Sequence, residues 1–187
     1  MHRRRNSCII ISVFISTYFS TLIYFMDPYI SAMFVRLLVA MLCGLLVGTE
    51  RILASKTAGM RTYALVSLGS ALFVVISETI ISIHGLGANV DPLHMAGQIV
   101  TGIGFLGAGL IIVRKEHLVG ATTASGIWVA AGIGIAAGFG LFWLSIIATI
   151  LMLCIFLVGF LERKLVKELP HYPGMRLDEG DNADPKE

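Results

Sequence analysis

A run of 44 residues, from Leu118 to Leu161, contains no Asp, Glu, Lys or Arg. As one helix this run would extend about 66 Å, roughly twice the thickness of the hydrocarbon core of a bilayer. It is therefore too long for a single membrane crossing and predicts two crossings joined by a turn. Gly138-Phe139-Gly140 is the predicted turn, because glycines commonly interrupt helices.

A second uncharged run carries a glycine pattern that resembles a nucleotide-binding fingerprint. Gly102 to Gly107 read G-x-G-x-x-G inside the 22 residues from Pro92 to Val113. A dinucleotide site needs a strand before the glycines and a helix followed by an acidic residue after them, and this context is missing. As a helix the run extends about 33 Å, which matches one membrane crossing. We therefore assign these glycines to a transmembrane helix, where they let neighbouring backbones approach closely.

The composition excludes a soluble protein. Hydrophobic residues make up 56% of the 187 residues and charged residues 14%, which is more apolar surface than one soluble core can bury. The three cysteines each fall in an apolar span, which indicates small apolar fillers and not a disulfide framework. The net charge of +2 is small, and the basic residues lie at span ends, so nucleic acid is not an expected partner.

Hydropathy predicts an all-α, polytopic membrane helix bundle of five to six transmembrane helices. With the amino terminus inside, the Lys and Arg residues between the spans lie on the cytoplasmic side, so both termini are predicted to be cytoplasmic. The approximate limits of the six candidate spans are 7–25, 31–49, 62–83, 92–113, 119–138 and 140–161.

The sequence predicts three segments. Residues 1–30 form an N-terminal extension with a candidate first transmembrane helix, 31–161 form the transmembrane domain, and 162–187 form a disordered cytoplasmic tail. The first span has two alternatives, a signal sequence or an upstream extension with translation starting at Met26 or Met33. Without it, five spans would remain and the amino terminus would lie outside.

A carboxylate closes the second span. Glu50 lies at a helix C-terminus, which already carries partial negative charge, so we expect it to form a salt bridge. Its candidate partners are Arg51, Lys56 and Arg61. Two roles stay open for this loop: a structural ion-pair network, or a site where Lys56 and Arg61 bind an anionic lipid headgroup or a partner's acidic group.

Two further charges lie inside the apolar spans. Counted from the inner span ends, Arg36 and Glu78 lie about 20 and 24 Å deep on two spans joined by a short loop. An unpaired charge below the headgroups is costly, so we predict that the two side chains pair or share an outward-facing polar pocket. The alternative is that each side chain extends separately to the outer headgroups.

Asp91 and Pro92 are typical of a helix start, with Asp91 as the N-cap and Pro92 in the first turn. Glu78, His84 and His94 also lie towards the outer surface, where a divalent-cation site is conceivable. Magnesium, however, prefers oxygen ligands and retains its waters, so we predict no metal site and no cofactor.

Two spans each carry a face of small residues at helical spacing. Such faces favour a close crossing of the two helices at the centre of the bundle. The faces are Gly97, Thr101, Gly104 and Ala108 in the fourth span, and Gly126, Ala130, Gly134 and Ala137 in the fifth. The alternative is a narrow path lined by glycine backbone together with Gln98, Thr101, Thr122 and Thr123.

Ser125 could act as the nucleophile of an intramembrane hydrolase only if a base lay at the same depth. The nearest candidates do not, because His94 lies at the outer edge and His117 in an inner loop. We therefore predict no enzymatic activity and no catalytic residue.

These motifs together resemble the signature of the bacterial MgtC/SapB membrane proteins, over a stretch from about Arg36 to Trp128. The chain departs from the family pattern at His94, where Arg is usual, and at Tyr63, where His is common; Ala121 and Ser125 also differ. The candidate functional residues carried by the resemblance are Glu50, Arg51, Lys56, Gly59, Arg61, Thr62, Asp91, Pro92, Gln98, Gly102, Gly104, Gly107, Gly109, Thr122, Thr123 and Trp128.

The resemblance implies a bacterial inner-membrane protein linked to magnesium limitation, acid stress and, in some members, virulence. It implies a compact form without the soluble domain that longer members carry after the last span. It also implies a non-enzymatic modulator of another membrane complex, such as the F-type ATP synthase; the alternative is a transporter or channel for Mg²⁺ or another cation.

The modulator is favoured by the placement of charge, because ion-coupled carriers place carboxylates near the midplane and here the charges gather at span ends. The expected partners are the lipid bilayer, other inner-membrane proteins and a second copy of the chain.

Overall fold

The structure, a computed structural model, describes residues 28–85, 91, 93–114 and 117–167. The predicted first span at about 7–25 and most of the predicted tail lie outside the described residues. The elements are α1 (Pro28–Leu53), α2 (Met60–Ile83), α3 (His94–Leu110), β1 (Ile112–Arg114), β2 (His117–Val119), α4 (Ala121–Gly138) and α5 (Phe142–Lys167).

Contacts divide the chain into residues 1–35 and 36–187. The described part of the first unit is the start of α1, where the Ser31 hydroxyl donates to the Pro28 carbonyl at 2.8 Å. The second unit contains the helix bundle and all the sites described below.

The predicted all-α membrane bundle is confirmed. Four of the described helices are long and apolar enough to cross a membrane, so the chain is a multi-pass membrane protein. These candidate spans are Pro28–Leu53, Met60–Ile83, Ala121–Gly138 and Phe142–Gly159. The last helix continues to Lys167, so the first six residues of the predicted tail are helical.

The predicted fourth span is wrong at its carboxyl end. Helix α3 has 17 residues and extends about 26 Å, instead of continuing to Val113. The β-branched residues that follow it form β1, which pairs antiparallel with β2 so that Ile112 faces Val119. Gly120 follows β2 with a φ of 90°, a conformation that strongly favours glycine, and leads the chain into α4.

The predicted turn at Gly138-Phe139-Gly140 is confirmed. Helix α4 ends at Gly138, and Gly140 has a left-handed φ of 77°. The Gly140 amide donates to the Ala137 carbonyl and the Leu141 amide donates to the Ala136 carbonyl, both at 2.9 Å. This pair of bonds is a Schellman motif, which satisfies carbonyls that the helix end would leave unpaired.

Helix α4 is the centre of the bundle, because it packs against α2, α3 and α5. Its small-residue face is buried, as predicted, but against α2. An added Cβ at Gly134 would lie 2.9 Å from the Ser67 Cα, and one at Gly138 would lie 3.0 Å from the Ala71 carbonyl oxygen. The two backbones can come this close because both facing surfaces consist of small residues.

The predicted face of α3 does not take part in this crossing. Helix α3 packs against α4 through the other side, which buries Ile99, Ile103 and Gly107. The isoleucines offer more apolar contact than glycine and alanine do, which accounts for the choice of side. The face predicted to be central is exposed along its whole length, at Gly97, Thr101, Gly104 and Ala108.

Helices α1 and α2 are held together by two glycines. An added Cβ at Gly44 would lie 2.6 Å from the Tyr63 carbonyl oxygen, and Gly48 lies against the backbone of Met60. One turn further along the contact, the Ser67 hydroxyl donates to the Ala40 carbonyl at 2.8 Å. Neither Gly44 nor Gly48 belongs to the two small-residue faces predicted from the sequence.

Candidate functional site

The end of the bundle where α1 passes into α2, which we call the basic end, contains a buried arginine. Arg51 is 1% exposed, and its Nε donates to the Glu50 carboxylate at 2.5 Å. The predicted salt bridge of Glu50 is thus confirmed, with the adjacent arginine as partner. The Arg51 Cζ also lies 3.4 Å from the centre of the Phe156 ring, a cation–π contact that joins α1 to α5.

Further helix contacts lie around Tyr63 and the Phe156 ring. Tyr63 of α2 is fully buried, and its hydroxyl donates a long hydrogen bond of 3.4 Å to the Thr123 carbonyl of α4. A Cβ at Gly126 would lie 3.0 Å from the Phe156 ring and 3.2 Å from the Met152 methyl group. We call Glu50, Arg51, Tyr63, Thr123 and Phe156 the Arg51 cluster.

Sequence reasoning found the charged pair of the Arg51 cluster and Thr123, but it missed the aromatic residues. In the sequence, Tyr63 differs from the family pattern, and Phe156 is one apolar residue in a charge-free run. A signal was present for Tyr63, because a phenol in an apolar span needs a hydrogen-bond partner.

We expect Glu50→Gln to lower the free energy of unfolding by about 2 kcal/mol, because it leaves the guanidinium of Arg51 buried without its counter-charge. Unfolding in mixed detergent micelles would measure the change. Lys56→Gln is the control, since it also removes one charge but from a residue without an ion pair among the described residues. If both variants lowered the free energy of unfolding equally, the loss of the counter-charge of Arg51 would not be the cause.

At the opposite end of the bundle, Arg36 of α1 and Glu78 of α2 form an ion pair between Nη1 and Oε2. The same Nη1 donates to the Gly138 carbonyl at 3.0 Å, and the guanidinium lies against Gly140. The predicted pairing of these two charges is therefore present, and Arg36 connects α1, α2 and the α4–α5 turn. The bond to Gly138 was not predicted, because the sequence does not show which backbone carbonyl at the end of α4 lies within reach of Arg36.

The other motif residues of the basic end have different surroundings. Lys56 is half-buried, and Arg61 and Thr62 are exposed. Gly59 lies under the Ile52 side chain, where an added Cβ would come within 3.0 Å. The loop thus packs on the bundle at Gly59, while its basic side chains are half-buried at Lys56 and exposed at Arg61.

The prediction of Asp91 as the N-cap is wrong, because α3 begins at His94 and its N-cap is Leu93. The Asp91 carboxylate instead accepts a hydrogen bond of 2.8 Å from the Leu93 amide, in the turn that precedes the helix. Pro92 lies outside the described residues, and His94 is exposed. Among the described residues, no three His, Cys, Asp or Glu side chains lie close enough together to hold a metal ion.

The polar residues of the predicted narrow path do not share one buried surface. Gln98, Thr101 and Thr122 are exposed, whereas Thr123 is buried. The motif glycines of α3 are likewise exposed at Gly102, Gly104 and Gly109, and Gly107 alone packs on α4; Trp128 is exposed.

Buried hydroxyls in the described bundle pair with backbone carbonyls. The Ser145 hydroxyl donates to the Ile133 carbonyl at 3.1 Å, and the Thr149 hydroxyl donates to the Ser145 carbonyl at 2.7 Å. No buried side-chain nitrogen or oxygen among the described residues is left without a partner. The Ser145 bond joins α5 to α4, whereas the Thr149 bond lies within α5.

The sequence profile of the MgtC family matches residues 37–164, which include the Arg51 cluster and Glu78. The chain belongs to the MgtC family. Arg36 lies one position before the matched region.

Three relatives illustrate this MgtC family membership. The chain is 45% identical over 97 residues to "Putative magnesium transporter YhiD" of Escherichia coli K12, covering 50% of this chain and 44% of YhiD. It is 40% identical over 129 residues to Protein MgtC of Salmonella typhimurium LT2, covering 69% of this chain and 51% of that protein. An uncharacterized protein of Haemophilus influenzae is 38% identical over 124 residues, with 64% and 52% covered.

The chain spans about half the length of the curated relatives it matches. No solved structure matches it.

Proposed function

We propose that this MgtC family member is a non-enzymatic protein of the bacterial inner membrane that modulates another membrane complex through helix contacts. The observation that carries the proposal is the exposed small-residue face of α3. An added Cβ at Gly97 or Gly104 would meet nothing within 4 Å, so the backbone of this face is open to close approach. Small residues are what a partner helix requires for close packing in a bilayer.

The rest of the described bundle is suited to presenting such a face. The ion pair at one end and the Arg51 cluster at the other hold α1, α2, α4 and α5 together, while α3 is packed from one side only. A rigid frame of this kind would present α3 in one orientation, which favours specific recognition.

We propose the F-type ATP synthase as the modulated complex, with expression linked to magnesium limitation, acid stress and virulence. Support for a link to magnesium comes from family membership and from the name of YhiD. The remaining links rest on the resemblance alone.

Copurification from native membranes tests the proposal. The tagged chain is expected to retain ATP synthase subunits, and Gly97→Leu with Gly104→Leu should abolish retention by blocking the α3 face. Gly132→Leu is the matched control, because a Cβ there also meets nothing within 4 Å, but on α4. Retention that survives the α3 variant, or that is lost equally in the control, would contradict the proposed contact.

Transport of Mg²⁺ is the second candidate, favoured by the name of YhiD. Purified protein in liposomes would decide between the two. Saturable Mg²⁺ uptake that is lost on changing Asp91 and Gln98 would overturn the modulator proposal. If the protein is a modulator, Mg²⁺ uptake should be no faster than in protein-free liposomes.

A further inference from the structure

We propose that the corner joining α1 to α2 binds an anionic phospholipid. The headgroup phosphate would lie between Lys56 and Arg61, and the acyl chains would lie along the exposed apolar faces of the two helices. This site is distinct from the α3 face and does not depend on the function proposed for it.

The loop that carries Lys56 has an ordered backbone. The Lys56 amide donates to the Arg51 carbonyl and the Ser55 amide to the Ile52 carbonyl, each at 3.0 Å. Ser55 is left-handed, with a φ of 53°, which completes a Schellman motif at the end of α1. Ala58 is 2% exposed and anchors the second half of the loop in the bundle. The loop therefore fixes the backbone from which Lys56 extends.

The charge of this corner is not neutralised within the described part of the chain. The carboxylate nearest in sequence, Glu50, is bound to Arg51, and Glu78 is bound to Arg36 at the other end of the bundle. Neither Lys56 nor Arg61 has an ion-pair partner among the described residues. Two positive charges are thus available at the level where α1 and α2 leave the bilayer, and this level is where lipid phosphates lie.

Exposed apolar side chains lie next to both cations, on α2 after Arg61 and on α1 before the loop that carries Lys56. Leu65 is one helical turn from Arg61 on the same face of α2, and 67% of it is exposed. On the α1 side, Leu53 precedes Lys56 and is 85% exposed, with Leu46 exposed two turns earlier. A cationic corner above two apolar faces has the polarity of a phospholipid, from headgroup to acyl chain.

The apolar faces distinguish a lipid from other anions. Inorganic phosphate or an acidic peptide would contact the two cations but would leave Leu53 and Leu65 uncovered. A phospholipid satisfies both parts of the surface, because its acyl chains cover these leucines.

Lipid retention by the purified full chain tests the site. In detergent, native mass spectrometry is expected to show phosphatidylglycerol bound more tightly than phosphatidylcholine. Each lost cation should weaken phosphatidylglycerol binding about fivefold, and Lys56→Gln with Arg61→Gln about 25-fold. Phosphatidylcholine binding and the thermal unfolding midpoint without added lipid should not change, which shows that the double variant is folded.

The matched control is Lys164→Gln with Lys167→Gln, which removes the same charge from the end of α5. An equal loss of phosphatidylglycerol binding in this control would show that the lipid responds to the overall positive charge and not to a specific site. That result would overturn the proposal. Competition by inorganic phosphate or a short polyaspartate peptide at the lipid's own concentration would also overturn it, because the apolar faces would then contribute nothing.

Discussion

Gly134→Ala is expected to lower the free energy of unfolding by about 3 kcal/mol, because the new methyl group has no space between α4 and α2. An added Cβ would lie 2.8 Å from the Ser67 carbonyl carbon and 2.9 Å from its Cα. These are backbone atoms, so no side-chain rotation can relieve the contact and the two helices must separate. Separation would also weaken the hydrogen bond of Ser67 to Ala40, which joins α2 to α1.

The matched control is Gly132→Ala on the same helix, where an added Cβ meets nothing within 4 Å. Alanine favours a helix over glycine, so this variant should be at least as stable as the parent chain. Unfolding of both variants in mixed micelles would provide the comparison. A loss at position 132 as large as that at 134 would show that general helix propensity, and not the α2 contact, determines the effect.

Small residues in α4 could be predicted to mark a close helix crossing, but the partner helix could not. Two faces of small residues were evident in the sequence, on α3 and α4, and pairing them was the simplest assumption. The deciding feature is on α2, where Ala64, Ser67 and Ala71 are also small and buried. Such a face is harder to detect in the sequence, because it combines alanines with a serine and larger apolar residues lie at the neighbouring positions.

The end of α3 shows a second limit of reasoning from hydropathy. Ile111, Ile112 and Val113 continue an uncharged run, and a membrane crossing and an apolar strand have the same composition there. Their β-branched side chains favour extended backbone, and the left-handed Gly120 then leads the chain from β2 into α4. The pattern of charges locates spans, but it does not show where a helix gives way to a strand.

The ionic contacts were predictable because a charge near an apolar span needs compensation. Glu50 and Glu78 are the acidic residues of α1 and α2, so few cations could serve as partners. The contacts that orient those pairs were not predictable. The ring of Phe156 under Arg51 and the Gly138 carbonyl beside Arg36 depend on how α4 and α5 return to the bundle.

Exchanging the charges of Arg36 and Glu78 is expected to separate their pairing from simple tolerance of charge at the membrane surface. Arg36→Glu places two carboxylates together and leaves the Gly138 carbonyl without its donor. Glu78→Arg places two guanidinium groups together. Each single change should lower the free energy of unfolding by about 3 kcal/mol, since a partly buried charge loses its counter-charge and meets a like one.

The double exchange should recover most of this loss but not all of it. A carboxylate at position 36 can pair with a guanidinium at position 78, yet it cannot donate to the Gly138 carbonyl as Arg36 does. We therefore expect the double variant to remain about 1 kcal/mol less stable than the parent chain, the value of one hydrogen bond. A double-mutant cycle measured in mixed micelles gives the coupling directly. If the double variant were as unstable as the sum of the single changes, Arg36 and Glu78 would each be interacting with the headgroups, and the connection of α1, α2 and the α4–α5 turn through Arg36 would be wrong.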